Sequence, residues 1–488
     1  MPISPAKRDL GIILGLGFVF RLLFLGHRQL RTDELMQALL VRSDTAIAML
    51  RRMRGGPFLP TPLDPLIQRV SVFFLGESDW TLRFHAVLFG TLSLWIFFRI
   101  ARRLFEERVA LYSTALFALY PLHYHYSQES LPYALCTFLA LLSYDLLLQS
   151  ASCAGRNWRV WLAWSLVQVL LLFSSLAGLA ILVSQWVVVI VFGLRRLKVL
   201  SRKNERDIGE GKPDAPAAGW HTVLTFTSCA VLASVPFLAW ARYAWTLRSA
   251  GPPDSLTFRL IIRIFKELGD GSYPVMALLI AGVAIGVRAM LRHGRRESLL
   301  WFSAWFAVPF PVVFLLDRWA GGPFILGQVL PNTAPLYLIA GYGLSYIGEQ
   351  LCILDQLPFQ ISSAALVYAA GLGIMCVVIA QNHWRREPAD WRGAAHYLQE
   401  TIRTGDTLIV PSGLPLLEYY VPSLGGYQEK SPHAGPAAST SGHFGRRITV
   451  CLAASNTDPC VSLRSAAAKD RTWSVREFSG MSIFVRDK

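Results

Sequence analysis

Charged residues are scarce in this chain. Only 16% of its 488 residues are Asp, Glu, Lys or Arg, against roughly 25% in soluble domains. With 53% hydrophobic residues, the chain has more apolar surface than a water-soluble core can bury, which excludes an ordinary soluble fold. Acidic residues are scarcer than basic ones, 32 against 47, but this does not indicate a nucleic-acid partner. The basic residues stand in short runs between apolar stretches, "RIARRLFEER" (99–108), "RRLKVLSRKNER" (195–206) and "RAMLRHGRR" (288–296), as cytoplasmic loops of membrane proteins do. None of the seven cysteines forms a CxxC or metal-type spacing, so no zinc or dithiol motif is encoded. No small-x-small cleavage site follows the apolar start "MPISPAKRDLGIILGLGFVFRLLFLG". That start reads as a retained first helix with its N-terminus in the cytoplasm. Internal repeats are also lacking, which argues against a transporter built from two related halves.

What is present is a series of apolar stretches near the 20 residues that span a bilayer. They lie near 9–26, 80–100, 107–125, 132–149, 159–175, 177–194, 221–245, 274–291, 299–316, 326–348 and 360–381. The expected architecture is therefore a polytopic α-helical membrane protein with about 11 transmembrane helices, residues 1–381. The basic runs fall in alternate loops and set the orientation, although loop 349–359 has no Lys or Arg. An odd count puts the C-terminus outside. The outer loop 27–79 reads as surface helices, and 247–273 as an outer segment with turns at "AGPPDS" and "LGDGS". Residues 382–488 read as a small α/β extracytoplasmic domain. A helix at 389–405 is followed by strand-like "DTLIVPS", "RRITVCLA" and "MSIFVRD". Cys451 and Cys460 flank "LAASNTDP", whose turn residues can bring the two sulfurs within disulfide reach. The alternative is two unpaired thiols. Such a short loop would gain only about 2–3 kcal/mol from closure.

Three constellations can carry chemistry. Asp33 and Glu34 open a helix in the outer loop. They serve either as first-turn acids behind Thr32 as N-cap, or as a proton acceptor above the bilayer. In "YPLHYHYSQESLPYAL" (120–135), His123, His125, Gln128 and Glu129 stand within a belt of tyrosines at the outer end of the third helix. Two residues apart, His123 and His125 face different sides of a helix, which disfavours a metal site. Arg21 lies inside the first helix and Arg83 opens the second. Each either snorkels to the headgroups or binds an anion such as phosphate.

The order of these features resembles a known family. A first helix, an outer loop opening with Asp-Glu, "DPLIQRVSVFFLGESDWTLR" (64–83) and "YSQESLPYAL" (126–135) follow one another. They are similar to GT-C type membrane glycosyltransferases, the family of the dolichyl-phosphate-mannose-protein mannosyltransferases and the lipid A aminoarabinose transferase. "VLPNTAPLYLIAGYGL" (329–344) and the tail at 387–410 resemble it more loosely. The resemblance implies a polyprenyl-phosphate sugar donor, an acceptor of protein, lipid or polysaccharide, and a bacterial inner-membrane location. It implies no certain cofactor and leaves a divalent metal open. It makes Asp33 the general base with Glu34 as its partner. Gln128, Glu129 and Tyr133, with His125 beside them, would line the donor cavity. Arg83 would hold the phosphate together with Arg21. Three departures stand out: "LDPL" (63–66) replaces a His-Pro-Pro-Leu motif, Leu131 stands in place of an arginine, and so does Gln328. Arg21, Arg83 or a loop residue such as Arg242 or Arg259 is then expected to supply the missing cations. The rival readings are a lipid-linked substrate flippase and a catalytically inactive assembly partner.

Overall fold

The computed structural model describes residues 5–55, 61–152, 157–204, 215–244, 258–270, 272–320, 325–352, 373, 377, 390–403, 406–409, 414–421, 447–452, 467, 473–478 and 481–486. Its helices are α1 Pro5–Leu22, α2 Thr32–Val41, α3 Ala46–Gly55, α4 Leu63–Leu75, α5 Asp79–Leu104, α6 Glu107–Leu119, α7 Pro121–Tyr126 and α8 Tyr133–Ser152. There follow α9 Trp158–Ser174, α10 Ala177–Asn204, α11 Ala215–Ala244, α12 Phe258–Leu268, α13 Tyr273–Arg292, α14 Arg296–Ala307 and α15 Pro309–Ala320. A 3₁₀ helix, Leu326–Thr333, leads into α16 Ala334–Cys352, and α17 Trp391–Thr401 and α18 Leu414–Tyr420 lie in the tail. The strands are β1 Thr407–Ile409, β2 Arg447–Leu452, β3 Trp473–Phe478 and β4 Met481–Arg486. Two compact units form: Met1–Leu25 with Asp44–Ala380, and Gly26–Ser43 with Gln381–Lys488. The segment carrying Asp33 and Glu34 thus groups with the C-terminal residues.

The first unit is helical, and ten of the eleven expected apolar stretches are helices. The eleventh, 360–381, lies outside the described residues except for Gly373 and Val377. Among the described residues, five helices are long and apolar enough to cross a membrane. Proline divides three of the expected stretches. Pro121 starts α7 after α6 has ended, and Pro309 starts α15 directly after α14, because proline lacks the N–H that would continue the ladder. Pro331 sits within the 3₁₀ helix that replaces the start of the expected 326–348 helix. The segment 247–273, expected to lie outside, also contains a helix, α12, whose Ile262 and Phe265 are exposed.

α5 shows how the sequence sets a long helix. The Ser78 hydroxyl accepts the Thr81 N–H at 3.1 Å, Asp79 stands in the first turn, and Arg102 and Arg103 stand in the last. Both ends therefore complement the helix dipole. Its 26 residues extend roughly 39 Å at 1.5 Å per residue, enough to separate two ends of different chemistry.

Polarity runs inside out. α11 exposes Leu224, Val231, Leu232 and Leu238, and α9 exposes Leu162 and Leu166; a water-soluble surface would not carry so many large apolar groups together. The interior holds polar groups instead. Gln168 Nε2 donates to Ser143 Oγ and to Gln185 Oε1, both at 2.6 Å, and Gln185 Nε2 donates to Ser143 Oγ at 2.7 Å. Buried Asp145 receives Arg99 and Arg103, each at 2.7 Å. Such bonds join helices where lipid offers no partner. Small residues do the same by close approach. A Cβ on Gly286 of α13 would strike the Ile339 carbonyl of α16, and one on Gly343 would lie 2.8 Å from the Gly282 carbonyl oxygen.

In the second unit, β1 pairs in parallel with β2, while β4 runs antiparallel to both β2 and β3, giving the order β1-β2-β4-β3. β4 is buried along most of its length, whereas edge strand β3 is mostly exposed. α17 starts at Asp390, whose Oδ1 accepts the Gly393 N–H at 2.8 Å. It ends at Thr401, short of the boundary at 405 expected from sequence. Cys451 lies in β2 opposite Ser482, and Cys460 lies outside the described residues.

Gly286→Leu is expected to force α13 and α16 apart and to destabilise the bundle by about 1–3 kcal/mol, the usual range for overpacking. A thermal aggregation curve of the detergent-solubilised protein should shift several degrees downward.

Candidate active site

One end of the first unit collects buried polar side chains from α1, α4, α5, α7, α8 and the turns between them. Arg21, in the last turn of α1, is fully buried. Its Nε donates to Ser127 Oγ at 3.1 Å, and its Nη1 donates to the carbonyls of Gly17 at 2.9 Å and Ala118 at 3.3 Å. Gly90 leaves the room: a Cβ there would strike Ser127 and come within 3.4 Å of Arg21 Nε. Among the described residues, no carboxylate pairs with Arg21 and its Nη2 has no partner. A buried guanidinium held only by neutral acceptors leaves a positive charge that an anion can complete.

The neighbouring side chains hold the chain as it leaves α1. Gln128 Nε2 donates to the carbonyls of Arg21 at 3.0 Å and Leu23 at 2.8 Å. Arg83 is buried and donates through Nη1 to the Leu25 carbonyl at 3.0 Å. These bonds satisfy carbonyls that a helix end leaves open. Gln68 of α4 donates to the Leu82 carbonyl at 2.8 Å and to Ser130 Oγ. Beside it, Asp64 Oδ1 meets His85 Nε2 at 3.1 Å, and both side chains are buried.

A second histidine stands between two acids. His125 Nε2 lies 3.0 Å from Glu129 Oε1, and its Nδ1 lies 3.7 Å from Asp270 Oδ1. Asp270 follows α12 in a left-handed conformation, φ 50°, which an aspartate tolerates better than most residues. His123 packs against Phe117 with ring centres 3.8 Å apart and planes tilted by 51°. Tyr133 packs edge-on against Tyr126 at 4.9 Å and covers Gly327. Gln328, where the family often has an arginine, donates to Asp317 at 3.2 Å. Asn332 is fully buried, and neither of its side-chain polar atoms has a partner among the described residues. Among the described residues, no group of three His, Cys, Asp or Glu is arranged to hold a metal ion.

Asp33 and Glu34 lie on the second unit, in the first turn of α2. Arg31, not Thr32, occupies the N-cap. Glu34 Oε2 accepts the Arg31 N–H at 2.9 Å, and Glu34 is fully buried. Asp33 lies 3.4 Å from Arg31, and its side chain is 45% exposed. Thr32 instead accepts the Trp391 indole N–H at 3.2 Å. Arg42 stacks on Tyr419 and donates to its carbonyl at 3.1 Å. α2 is thereby fastened to α17 and to the residues that end α18. Of the two acids, Glu34 is buried and closes the helix start, while Asp33 is partly exposed beside Arg31.

The family described as dolichyl-phosphate-mannose-protein mannosyltransferase matches residues 57–204. ArnT from Cupriavidus metallidurans in its apo state superposes with a TM-score of 0.59 at 14% identity, covering 99% of this chain and 98% of that one. The same enzyme bound to undecaprenyl phosphate gives a TM-score of 0.53 at 14% identity, with 97% of each chain covered. No curated protein sequence matches the chain. The chain resembles the GT-C membrane glycosyltransferases.

The six residues expected at the donor site, Arg21, Arg83, His125, Gln128, Glu129 and Tyr133, share one end of the first unit. Three others there were not singled out from sequence. His85 stands two residues after Arg83, Asp270 falls in the turn "LGDGS", and Gln68 falls in the apolar stretch expected to lie along the membrane surface. Asp64 was noticed only as a departure from a motif. Its pairing with His85 links positions 21 apart, which no local pattern reveals.

Asp64→Ala and His85→Ala should each destabilise the protein by about 3 kcal/mol, because either one strands a buried polar partner. The double variant should lose less than the sum by about 1–3 kcal/mol. Chemical or thermal unfolding of the four proteins in one detergent measures this coupling.

Proposed function

We propose that the chain is a glycosyltransferase moving a hexosyl or pentosyl group from a polyprenyl-phosphate donor to a protein, lipid or polysaccharide acceptor. The transfer would occur at the extracytoplasmic face of a bacterial inner membrane. The observation that carries the proposal is the fold likeness, along nearly the whole chain, to an enzyme solved with undecaprenyl phosphate. The buried, acid-free Arg21 supports it, since a phosphate would complete that charge. The division into a transmembrane domain, 1–381, and an extracytoplasmic α/β domain, 382–488, belongs to the same reading.

The chemistry is a single displacement. An acceptor hydroxyl oxygen forms a bond to the sugar C1 as the bond from C1 to the phosphate oxygen breaks, and the anomeric centre inverts. Asp33 takes the hydroxyl proton. The leaving group departs as polyprenyl phosphate, with negative charge building on its oxygen, and Arg21 and Arg83 stabilise that charge. Gln128 holds the α1 end that carries Arg21. His125, between Glu129 and Asp270, orders a polar wall beside Tyr126, which packs on Tyr133. Glu34 fixes the helix start on which Asp33 rides.

Asp33→Asn should lower transfer by about 10²–10⁴-fold with donor binding retained, because the amide keeps the shape but cannot accept a proton. Glu34→Gln, which keeps an oxygen for the Arg31 N–H, should retain most activity. Near-normal turnover by the Asp33 variant would reject it as the base.

Arg83→Ala should weaken polyprenyl-phosphate binding more than Arg83→Lys, since lysine keeps the charge but not the planar fork. Titration with undecaprenyl phosphate reads the difference, and equal affinities would leave Arg83 a purely structural anchor. Deleting the gene should cause one polyprenyl-linked sugar to accumulate, visible by lipid mass spectrometry. That species names the donor, and unchanged lipid-linked sugars would oppose the proposal. Non-reducing peptide mapping of thiol-blocked membranes tests the Cys451–Cys460 bridge, and linked peptides would also support an outside tail.

A further inference from the structure

The opposite end of α5 carries a charged cavity that donor chemistry does not use. Arg83 and Phe105 are 22 residues apart along or just beyond this helix, roughly 33 Å at 1.5 Å per residue. A cavity of about 330 Å³ opens there, between the start of α6, the turn joining α13 to α14, and α16. Its walls include Phe105, Glu106, His293, Arg295, Tyr342 and Glu349.

The cavity contains both signs of charge, held apart. The Arg295 guanidinium lies over the rings of Phe105 at 5.3 Å and Tyr342 at 5.7 Å, and its Nη1 donates to the Leu104 carbonyl at 3.2 Å. His293 Nδ1 is 2.6 Å from the Tyr342 hydroxyl, and Arg292 donates to the Tyr346 hydroxyl at 2.7 Å. These bonds fix the cation and the aromatic walls. Glu106 and Glu349 both act electrostatically on Tyr342. Neither carboxylate forms an ion pair or a side-chain hydrogen bond among the described residues, and neither reaches Arg295 within ion-pair distance. A cavity that keeps a guanidinium and two carboxylates close without pairing them suits a ligand that is itself zwitterionic. Its anion would go to Arg295, and its cation to the carboxylates and the ring faces.

We propose that this cavity binds the headgroup of an aminophospholipid, a phosphodiester joined to a primary ammonium. A primary ammonium fits better than a quaternary one, because the free carboxylates can accept its N–H hydrogen bonds. A lipid is favoured over a soluble phosphoamine because the neighbouring turn is flanked by exposed Leu291 and Leu300, which offer a path for acyl chains. The cavity lies among the basic runs, where headgroups of the adjoining leaflet are in reach. The inference depends on the membrane-spanning reading and is independent of the transfer reaction.

Native mass spectrometry of the full chain in detergent, titrated separately with phosphatidylethanolamine, phosphatidylglycerol and phosphatidylcholine, tests the proposal. Phosphatidylethanolamine should bind at least about tenfold tighter than the other two, the factor expected from about 1.4 kcal/mol of differential contact. The double variant E106Q/E349Q should lose this preference while keeping its thermal stability and transfer activity. Arg295→Ala should weaken all three lipids, but it also removes a packing contact, so the glutamate variant decides. Equal binding of phosphatidylglycerol, with no effect of E106Q/E349Q, would overturn the zwitterionic site in favour of a simple anion site. Absence of preferential lipid binding would overturn it altogether. Competition by soluble phosphoethanolamine at the lipid's own affinity would overturn the lipid source.

Discussion

A bilayer interior supplies no hydrogen bonds, and the arrangement of the first unit follows from that constraint. Every polar group between the helices needs a partner within the protein. Gln168, Ser143 and Gln185 bond to one another, Asp145 takes two arginines, and Arg21 is held by two carbonyls and a hydroxyl. Where no polar bond joins two helices, small residues bring the backbones together, as between α13 and α16. Large apolar side chains are left to face outward on α9, α11 and α13. The same constraint makes an incompletely satisfied group conspicuous: Arg21 Nη2 and the Asn332 amide are buried without partners among the described residues.

The two ends of the bundle then differ in kind. One end concentrates buried, mutually bonded groups, with Arg21, Arg83 and Gln128 fixing the exit of α1 and His125 braced between acids. Rigidity of this sort suits a site that must hold a phosphate in one orientation. The other end has charges that are more exposed, aromatic walls and a cavity, which suits recognition of the surrounding membrane. The long uninterrupted α5 holds these two ends apart. Asp33 belongs to neither: it rides on α2, fastened to the tail's own helices through Thr32 and Arg42. The partly exposed carboxylate is therefore carried by the second unit, and the buried polar cluster around Arg21 by the first.

Much of the helical plan was legible because membrane spans are long and their hydrophobicity is additive. What escaped notice had weak local signals. β3 carries Arg476 and Glu477 and is mostly exposed, so its alternation is faint beside that of buried β4. α12 was hidden because a short amphipathic helix between turns has neither the length nor the uniform hydrophobicity of a span. The breaks at Pro121 and Pro309 were written in the residues, yet hydrophobicity averaged over a window passes across them.

By itself the sequence determined the class of solvent, the helical plan, the order of motifs and the chemical types in the polar cluster at one end of the bundle, because these depend on composition and local pattern. Only the tertiary structure decided the partnerships. It joined Asp64 to His85 and set His125 between Glu129 and Asp270. It separated the roles of two adjacent acids by burying Glu34 in a helix cap while leaving Asp33 in reach of solvent. It also brought Glu106, Arg295 and Glu349 around one cavity from three distant segments. The physical reason is the same in each case: a hydrogen bond or an ion pair depends on distances of a few ångströms between residues far apart in the chain, and those distances exist only once the helices have packed.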